Sequence, residues 1–277
     1  NNLSVISKNF KNKKFIKTQN TLEGLRNLAS YARQRSKAKI IAITGSCGKT
    51  SLKNLLNISL SKFGKTHCSP KSFNNHFGAP YSLANLNSDN KFGIFELGMS
   101  SKGEINNLVN LVKPNIAIIT NIGPAHLENF QNISGICKAK AEIMNGIQQD
   151  GIIILNRDDK FFNSLKKIAN NKKISILTFG ISKSDIQIIK SSAKISFKIN
   201  KKIFNFKIKN SNKSYLYNVA ATLCVHYFLN HNIKFLKNIF TNEIKTIHLF
   251  RINFYINVPY YFWTRIRATP FERYYHY

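Results

Sequence analysis

Acidic residues are scarce. Only 12 of 277 residues are Asp or Glu, against 42 Lys or Arg, for a formal net charge of +30. A carboxylate that falls inside a motif therefore stands out. Such a positive excess is the electrostatic footprint of many nucleic-acid binders. Here, however, the lysines are spread among Asn and Ile along the whole chain rather than gathered in a block. That pattern is a compositional bias laid over an ordinary fold, and it suits phosphate-bearing ligands. A basic nucleic-acid-binding NTPase remains the alternative from a different class; otherwise no nucleic-acid partner is expected. Cysteine is sparse too. Cys47, Cys68, Cys137 and Cys224 form no CxxC pair, which argues against a zinc site and a disulfide framework and fits a reducing, cytoplasmic setting. No stretch approaches the roughly 18 apolar residues of a membrane helix, so no membrane span is expected. The opening NNLSVISKNFKNKK lacks the apolar core of a secretory signal. Position 1 is not Met, and the expectation is a stretch of a longer protein.

What is present is ample apolar material, 43% of residues, enough for a sizeable core. Residues 21–36 read as an amphipathic helix. KIIAIT, KFGIFEL, NIAIIT, GIIILN and KISILTFG are short apolar runs of the kind that form buried strands. Helical patterns fall between them: SLKNLLNISLSKF, APYSLANL, KGEINNLVNLV and DDKFFNSLKKIAN. Strands alternating with helices predict an α/β fold with a mostly parallel sheet and flanking helices. SDIQIIKSSAKISFKINKKIFNFKIK alternates apolar and polar residues, predicting a small antiparallel β portion, and SYLYNVAATLCVHYFL returns to helix. From about residue 246 the chain is crowded with Tyr, Phe and Arg and shows no clear period.

The loop ITGSCGKTS joins a predicted strand to a predicted helix. It has two fewer residues than a standard phosphate-binding loop, but the physical parts are present. Gly45 and Gly48 let the backbone approach a phosphate, and Ser46, Cys47 and Ser51 lie within reach of the same anion. The helix N-terminus favours negative charge. Lys49 can reach terminal phosphates, and the Thr50 hydroxyl can ligate Mg²⁺.

A second oddity lies in SGICKAKAEIMNGI. With Ser134 as the predicted N-cap, Ile136, Ala139, Ile143 and Ile147 share one helix face, and Lys140 falls on that face. An inward lysine needs an anion or must lose its charge. The spacing leaves open whether Lys140 snorkels outward, or pairs with Glu128 or Glu142.

TGSCGKTS resembles the ATP loop of the Mur ligase superfamily, the ATP-dependent amide-forming ligases of peptidoglycan assembly and folate polyglutamylation. KSFNNHFGAPYSL, FELGMSSKGEI, TNIGPAHLENF with AKAEI, GIIILNRDD and the helix YNVAATLCV resemble segments of one branch, which adds D-Ala-D-Ala to UDP-N-acetylmuramoyl-tripeptide. These motifs run in order from about residue 21 to 229. The resemblance implies a cytoplasmic, monomeric ligase for peptidoglycan precursors, acting on those two substrates through an acyl phosphate. Another ligase of the superfamily, with a different amino acceptor, is the nearer alternative.

The resemblance also implies a site. Two Mg²⁺ ions would be held by Thr50, Glu96, His126 and Lys140, with Lys140 carbamylated by CO₂ so that it acts as an extended carboxylate. Lys49, Lys140 and His126 would serve catalysis. Asn74 and Asn75 would touch the UDP-sugar-peptide, although Asn also favours turns. Asn218 would recognise adenine and Asp158 would contact the nucleotide, or else cap the following helix. The flanks of Asn218 depart from the pattern, with Leu216, Tyr217 and Ala221 in place of its usual residues. The expected organisation is a remnant of an N-terminal UDP-substrate domain plus linker helix at 1–36, a central ATP-binding domain at 37–245, and an atypical tail at 246–277 in place of a C-terminal ligase domain. Such a chain is expected to bind ATP better than it turns it over.

Overall fold

The computed structural model describes residues 18–241, apart from 192–194, 207, 209, 210, 237 and 238. The aromatic segment from 246 onward, and with it the expected tail, lies outside these residues. In chain order the main elements are α1 (Thr21–Arg35), β1 (Lys39–Thr44), α2 (Lys49–Leu60), β2 (Thr66–Cys68), α3 (Gly78–Ala84) and β3 (Phe92–Glu96). They continue with α4 (Glu104–Val112), β4 (Ile116–Ile119), α5 (Ile133–Ala141), β5 (Ile152–Asn156), α6 (Phe162–Asn171), β6 (Ser175–Gly180) and β7 (Ile186–Lys190). The last are β8 (Ile195–Ile199), β9 (Lys202–Asn205) and α7 (Lys213–Phe228).

The strands form one sheet in the order β2-β3-β1-β4-β5-β6-β7-β8-β9. Pairing is parallel from β2 to β7, then antiparallel through β8 and β9. This is the predicted mostly parallel α/β sheet with a short antiparallel extension. The inner strands are near-continuous apolar runs, polar only at their ends, because helices cover both faces. Ile40 and Ala42 of β1, Ala117 and Ile119 of β4, and Ile153 and Leu155 of β5 share a core with α1, α3, α4, α5 and α6. Alternation sends Ile41 and Ile43 to the opposite face. There α2 and α7 pack on each other, α2 against β1 and β3 and α7 against β5, β6 and β7. Ala29 of α1 is fully buried in the first core, so this helix is built into the sheet's cover.

Two details differ from the sequence expectation. α5 is capped by Asn132, whose side chain accepts from the Gly135 N–H at 3.0 Å, and not by Ser134, which lies inside the helix. Both residue types cap well, and the helix simply begins two residues earlier. It also ends at Ala141 and tightens into a 3₁₀ segment, Glu142–Gly146, which still buries Ile143.

The strand order places the site. The neighbouring strands β1 and β4 send their connections in opposite directions from their carboxyl ends, β1 toward β2 beyond β3 and β4 toward β5. Crevices at such switch points are where open α/β sheets bind ligands. The loop after β1 opens there, beside the carboxyl ends of β3 and β4.

Candidate nucleotide site

The loop is fixed in a form only glycine permits. Gly45 has φ +148°, and a Cβ there would lie 1.9 Å from Thr120 Oγ1. Gly48 has φ +81° and stands as the N-cap of α2, with no side chain capping the helix. The first N–H groups of α2 are therefore left for an anion. Two loop N–H groups are already engaged: Ser46 N–H donates to the Asn121 carbonyl at 3.0 Å, and Cys47 N–H to Asn121 Oδ1 at 2.9 Å. Thr120 Oγ1 donates to the Cys47 carbonyl at 2.6 Å, and Ser46 Oγ to the Gly123 carbonyl at 3.0 Å. Ser46 and Cys47 thus shape the loop against the end of β4, and Gly48, Lys49, Thr50 and Ser51 carry its anion-facing start.

Lys49 Nζ folds back and donates to the Gly45 carbonyl at 2.7 Å. Burial lowers its pKa, and the Glu96 carboxylate works against that shift. The ammonium is held at the loop by a carbonyl that a phosphate oxygen would outcompete.

Glu96, at the end of β3, is 1% exposed. Its Oε2 accepts from Thr50 Oγ1 at 2.9 Å, and its Oε1 from Asn74 Nδ2 at 2.8 Å. Lys53, one turn into α2, places its ammonium 3.7 Å from Oε2, and both side chains are 2% exposed. Lys53 also donates to the Lys71 carbonyl. Ser72 Oγ lies 3.4 Å from Thr50 Oγ1. Buried charge survives only when paired and hydrogen-bonded, and Glu96 is satisfied from three sides.

Lys140 projects inward as its spacing demands. It is 3% exposed while Lys138 is exposed. It neither snorkels out nor meets the two carboxylates available to it in sequence. Glu142 accepts from the Gly103 and Asn106 N–H groups, and Glu128 lies beside His126. Among the described residues no hydrogen bond or ion pair engages the Lys140 amine. Burial, reinforced by the Lys49 charge, lowers its pKa to about 8.

His126 is not brought to Glu96. It sits in a left-handed turn with φ +57°, its side chain 46% exposed and 3.7 Å from the Glu128 carboxylate. Among the described residues no group of three His, Cys, Asp or Glu side chains could hold a metal ion. The oxygens of Thr50 and Glu96 are nonetheless hard donors that fit Mg²⁺.

The remaining expected residues are all engaged. Asn74 is on Glu96, and its carbonyl accepts from Gly98 N–H at 2.8 Å. Asn75 Oδ1 accepts from Phe77 and Gly78 N–H at the start of α3. Asn218 is buried and donates to the Gly48 carbonyl at 3.4 Å, joining α7 to the loop. Asp158 does not cap α6; it accepts from the Ile181 and Ser182 N–H groups and from the Tyr217 hydroxyl. Burial pushes its carboxyl upward, but those hydrogen bonds outweigh it and hold the group below the usual range. Sequence reasoning missed Lys53, Ser72, Thr120, Asn121 and the Tyr217 hydroxyl. Lys53 alone carried a signal. It lies three before Leu56 and seven before Leu60, on the apolar face of its helix.

Comparison with known proteins gives the family and the fold. A UDP-N-acetylmuramoyl-tripeptide–D-alanyl-D-alanine ligase of Rickettsia prowazekii (strain Madrid E) is 43% identical over 183 residues, which is 66% of this chain and 39% of the relative. The ligase of the same name from Escherichia coli (strain K12) is 36% identical over 147 residues, 53% of this chain and 32% of its own. A crystal structure of MurF from Acinetobacter baumannii superposes with a TM-score of 0.74 at 28% identity, covering 82% of this chain and 51% of that one. The chain spans about two fifths of the length of the first of these relatives. The Mur ligase middle domain matches residues 43–226, two thirds of the sequence, and the chain belongs to that family.

Proposed function

We propose that this chain is the ATP-binding part of a ligase that joins D-Ala-D-Ala to UDP-N-acetylmuramoyl-tripeptide in peptidoglycan precursor synthesis. The observation that carries the reading is the meeting of the glycine loop, Lys49, Thr50 and buried Glu96 at one sheet edge. The substrate names come from the relatives. The loop and the start of α2 would cradle the ATP phosphates, Lys49 would leave the Gly45 carbonyl for them, and Asn218 would brace the loop from α7. Thr50 and Glu96 would hold Mg²⁺, which offsets phosphate charge when bound. Lys140 is buried, and burial, reinforced by the Lys49 charge, lowers its pKa. The neutral amine is the form that reacts with CO₂, and as a carbamate it would bring a second anion to the site, and with it a second Mg²⁺. His126 would need its loop to turn inward to join them. Catalysis of this kind is positioning and charge neutralisation, with no covalent nucleophile required of the protein.

The test is Mg·ATP binding by this chain, followed by ADP release from the longer gene product with both substrates present. Nucleotide binding by the chain, with release that needs the tripeptide nucleotide and D-Ala-D-Ala together, is expected. Release driven by another amino acceptor would move the protein to a different branch. ATPase stimulated by DNA or RNA and weakened steeply by salt would replace the reading.

A further inference from the structure

Glu96 is the carboxylate of the candidate metal pair, yet its charge is already matched inside the fold. Thr50 and Lys53 stand three residues apart on α2, so both reach the same neighbour. Thr50 Oγ1 lies 2.9 Å from Glu96 Oε2, and the Lys53 ammonium 3.7 Å from that oxygen. Oε1 is taken by Asn74 Nδ2 at 2.8 Å. One carboxylate oxygen thus meets both the hydroxyl that would share a metal ion and a cation that would repel it.

Lys53 cannot give way as Lys49 can. Lys49 is half-buried, and its ammonium rests on the Gly45 carbonyl, which a phosphate oxygen would replace. Lys53 is 1% exposed, and its ammonium also donates to the carbonyl of Lys71, in the turn after β2. Its stem is enclosed and its head is held from two sides. A divalent ion on Oε2 at about 2.1 Å would lie no more than about 6 Å from that head. Like charges so close in a buried site repel strongly, and the ammonium has no route to water. A nucleotide changes the balance, because its phosphates carry negative charge that the Glu96–Lys53 pair does not offer.

We propose that Lys53 is a positioning residue that acts as an internal counter-ion to Glu96, so that the Thr50–Glu96 oxygens refuse a free divalent cation and take one only together with nucleotide phosphates. Lys53 touches neither substrate nor metal. It acts through the Glu96 carboxylate, which it holds in place and neutralises, so that no metal is needed to keep that buried charge satisfied at rest. Delivery of the metal with the nucleotide rests on the nucleotide reading of the loop; suppression of free-metal binding by Lys53 does not.

The experiment titrates free Mn²⁺, a hard octahedral stand-in for Mg²⁺, into the chain without nucleotide and follows it by electron paramagnetic resonance. CO₂-free buffer keeps Lys140 from contributing a carbamate. Wild type is compared with Lys53→Met, with Lys53→Gln, which keeps a donor for the Lys71 carbonyl, and with Lys53→Met combined with Glu96→Gln. Both single variants should bind Mn²⁺ at least about tenfold more tightly than wild type, although each loses a buried ion pair, and the double variant should lose that gain. Mn²⁺ should also raise the urea midpoint of Lys53→Met by more than that of wild type. Removing a merely structural side chain would leave metal affinity unchanged or lower it. Equal or weaker Mn²⁺ binding in both single variants, or a gain that survives Glu96→Gln, would overturn the proposal. A single variant unfolded without metal should refold in millimolar Mn²⁺, and failure of both to do so would count equally against it. Mn²⁺-dependent binding of a fluorescent ATP analogue by wild type is read in parallel. Without it the nucleotide reading fails and metal delivery with it, while the free-ion titration still decides the part of Lys53.

Discussion

Glu96→Gln is the perturbation whose consequence the structure fixes most closely. The substitution keeps the shape of the side chain and an acceptor for Thr50 or Asn74, but removes the charge that faces Lys53. The pair is separated by 3.7 Å, with both side chains 2% exposed. At an effective dielectric of about 20 the lost attraction is about 4–5 kcal/mol, and breaking one side of a buried pair costs about 3–5 kcal/mol in practice. Lys53 keeps its hydrogen bond to the Lys71 carbonyl, which places the expected loss near the lower end, about 3 kcal/mol. For a domain of this size that is a fall in Tm of about 6–12 °C. Urea unfolding followed by circular dichroism measures it. Lys53→Met combined with Glu96→Gln removes the orphaned ammonium and should recover at least about 2 kcal/mol of the single variant's loss. A loss below about 1 kcal/mol, or a double variant no more stable than Glu96→Gln alone, would refute the reasoning.

Other outcomes follow from the same geometry. Gly45→Ala meets Thr120 Oγ1 at a left-handed φ and should cost about 1–3 kcal/mol of stability while abolishing nucleotide binding, both read on the purified chain. Lys140 has its pKa lowered from 10.5 to about 8, so the unfolded chain binds the extra proton between those values. Wild-type stability should rise with pH from about 8 to 10.5 by up to about 3 kcal/mol relative to Lys140→Met, and parallel pH–urea surfaces measure it. His226 is fully buried, with Nδ1 2.9 Å from His231 Nδ1. Burial, and then the His231 charge, lower its pKa from 6.5 to about 3. Stability should therefore fall as pH drops from 6.5 toward 3, by up to about 4–5 kcal/mol, and His226→Phe should flatten that slope.

Much of the fold is legible because parallel strands covered on both faces read as unbroken apolar runs. KIIAIT coincides with β1, and the other four runs mark β3 to β6 within a residue or two. β2 is not legible. Its three residues, THC, are half-buried, and their extended form comes from pairing with β3 rather than from local pattern. The loop's chemistry and the inward Lys140 follow from residue type and period. The same period places Lys53 on the apolar face of its helix, but it lies outside every motif of the sequence. Asn74 and Asn75 show the opposite limit: turn chemistry places them in a loop, but only the folded chain reveals that one braces Glu96 and the other starts α3. His126 depends on a loop whose left-handed turn directs the side chain outward, and nothing in TNIGPAHLE encodes that direction.

The central claim is that the glycine loop, Lys49 and the Thr50–Glu96 pair together hold a magnesium nucleotide. Isothermal titration of ATP into the chain, with and without Mg²⁺, tests it on wild type, Lys49→Met and Thr50→Val. The account predicts binding strengthened by Mg²⁺, weakened at least about tenfold by Lys49→Met, and stripped of its Mg²⁺ dependence by Thr50→Val. Absence of binding to the wild type, or a full Mg²⁺ gain retained in Thr50→Val, would contradict it.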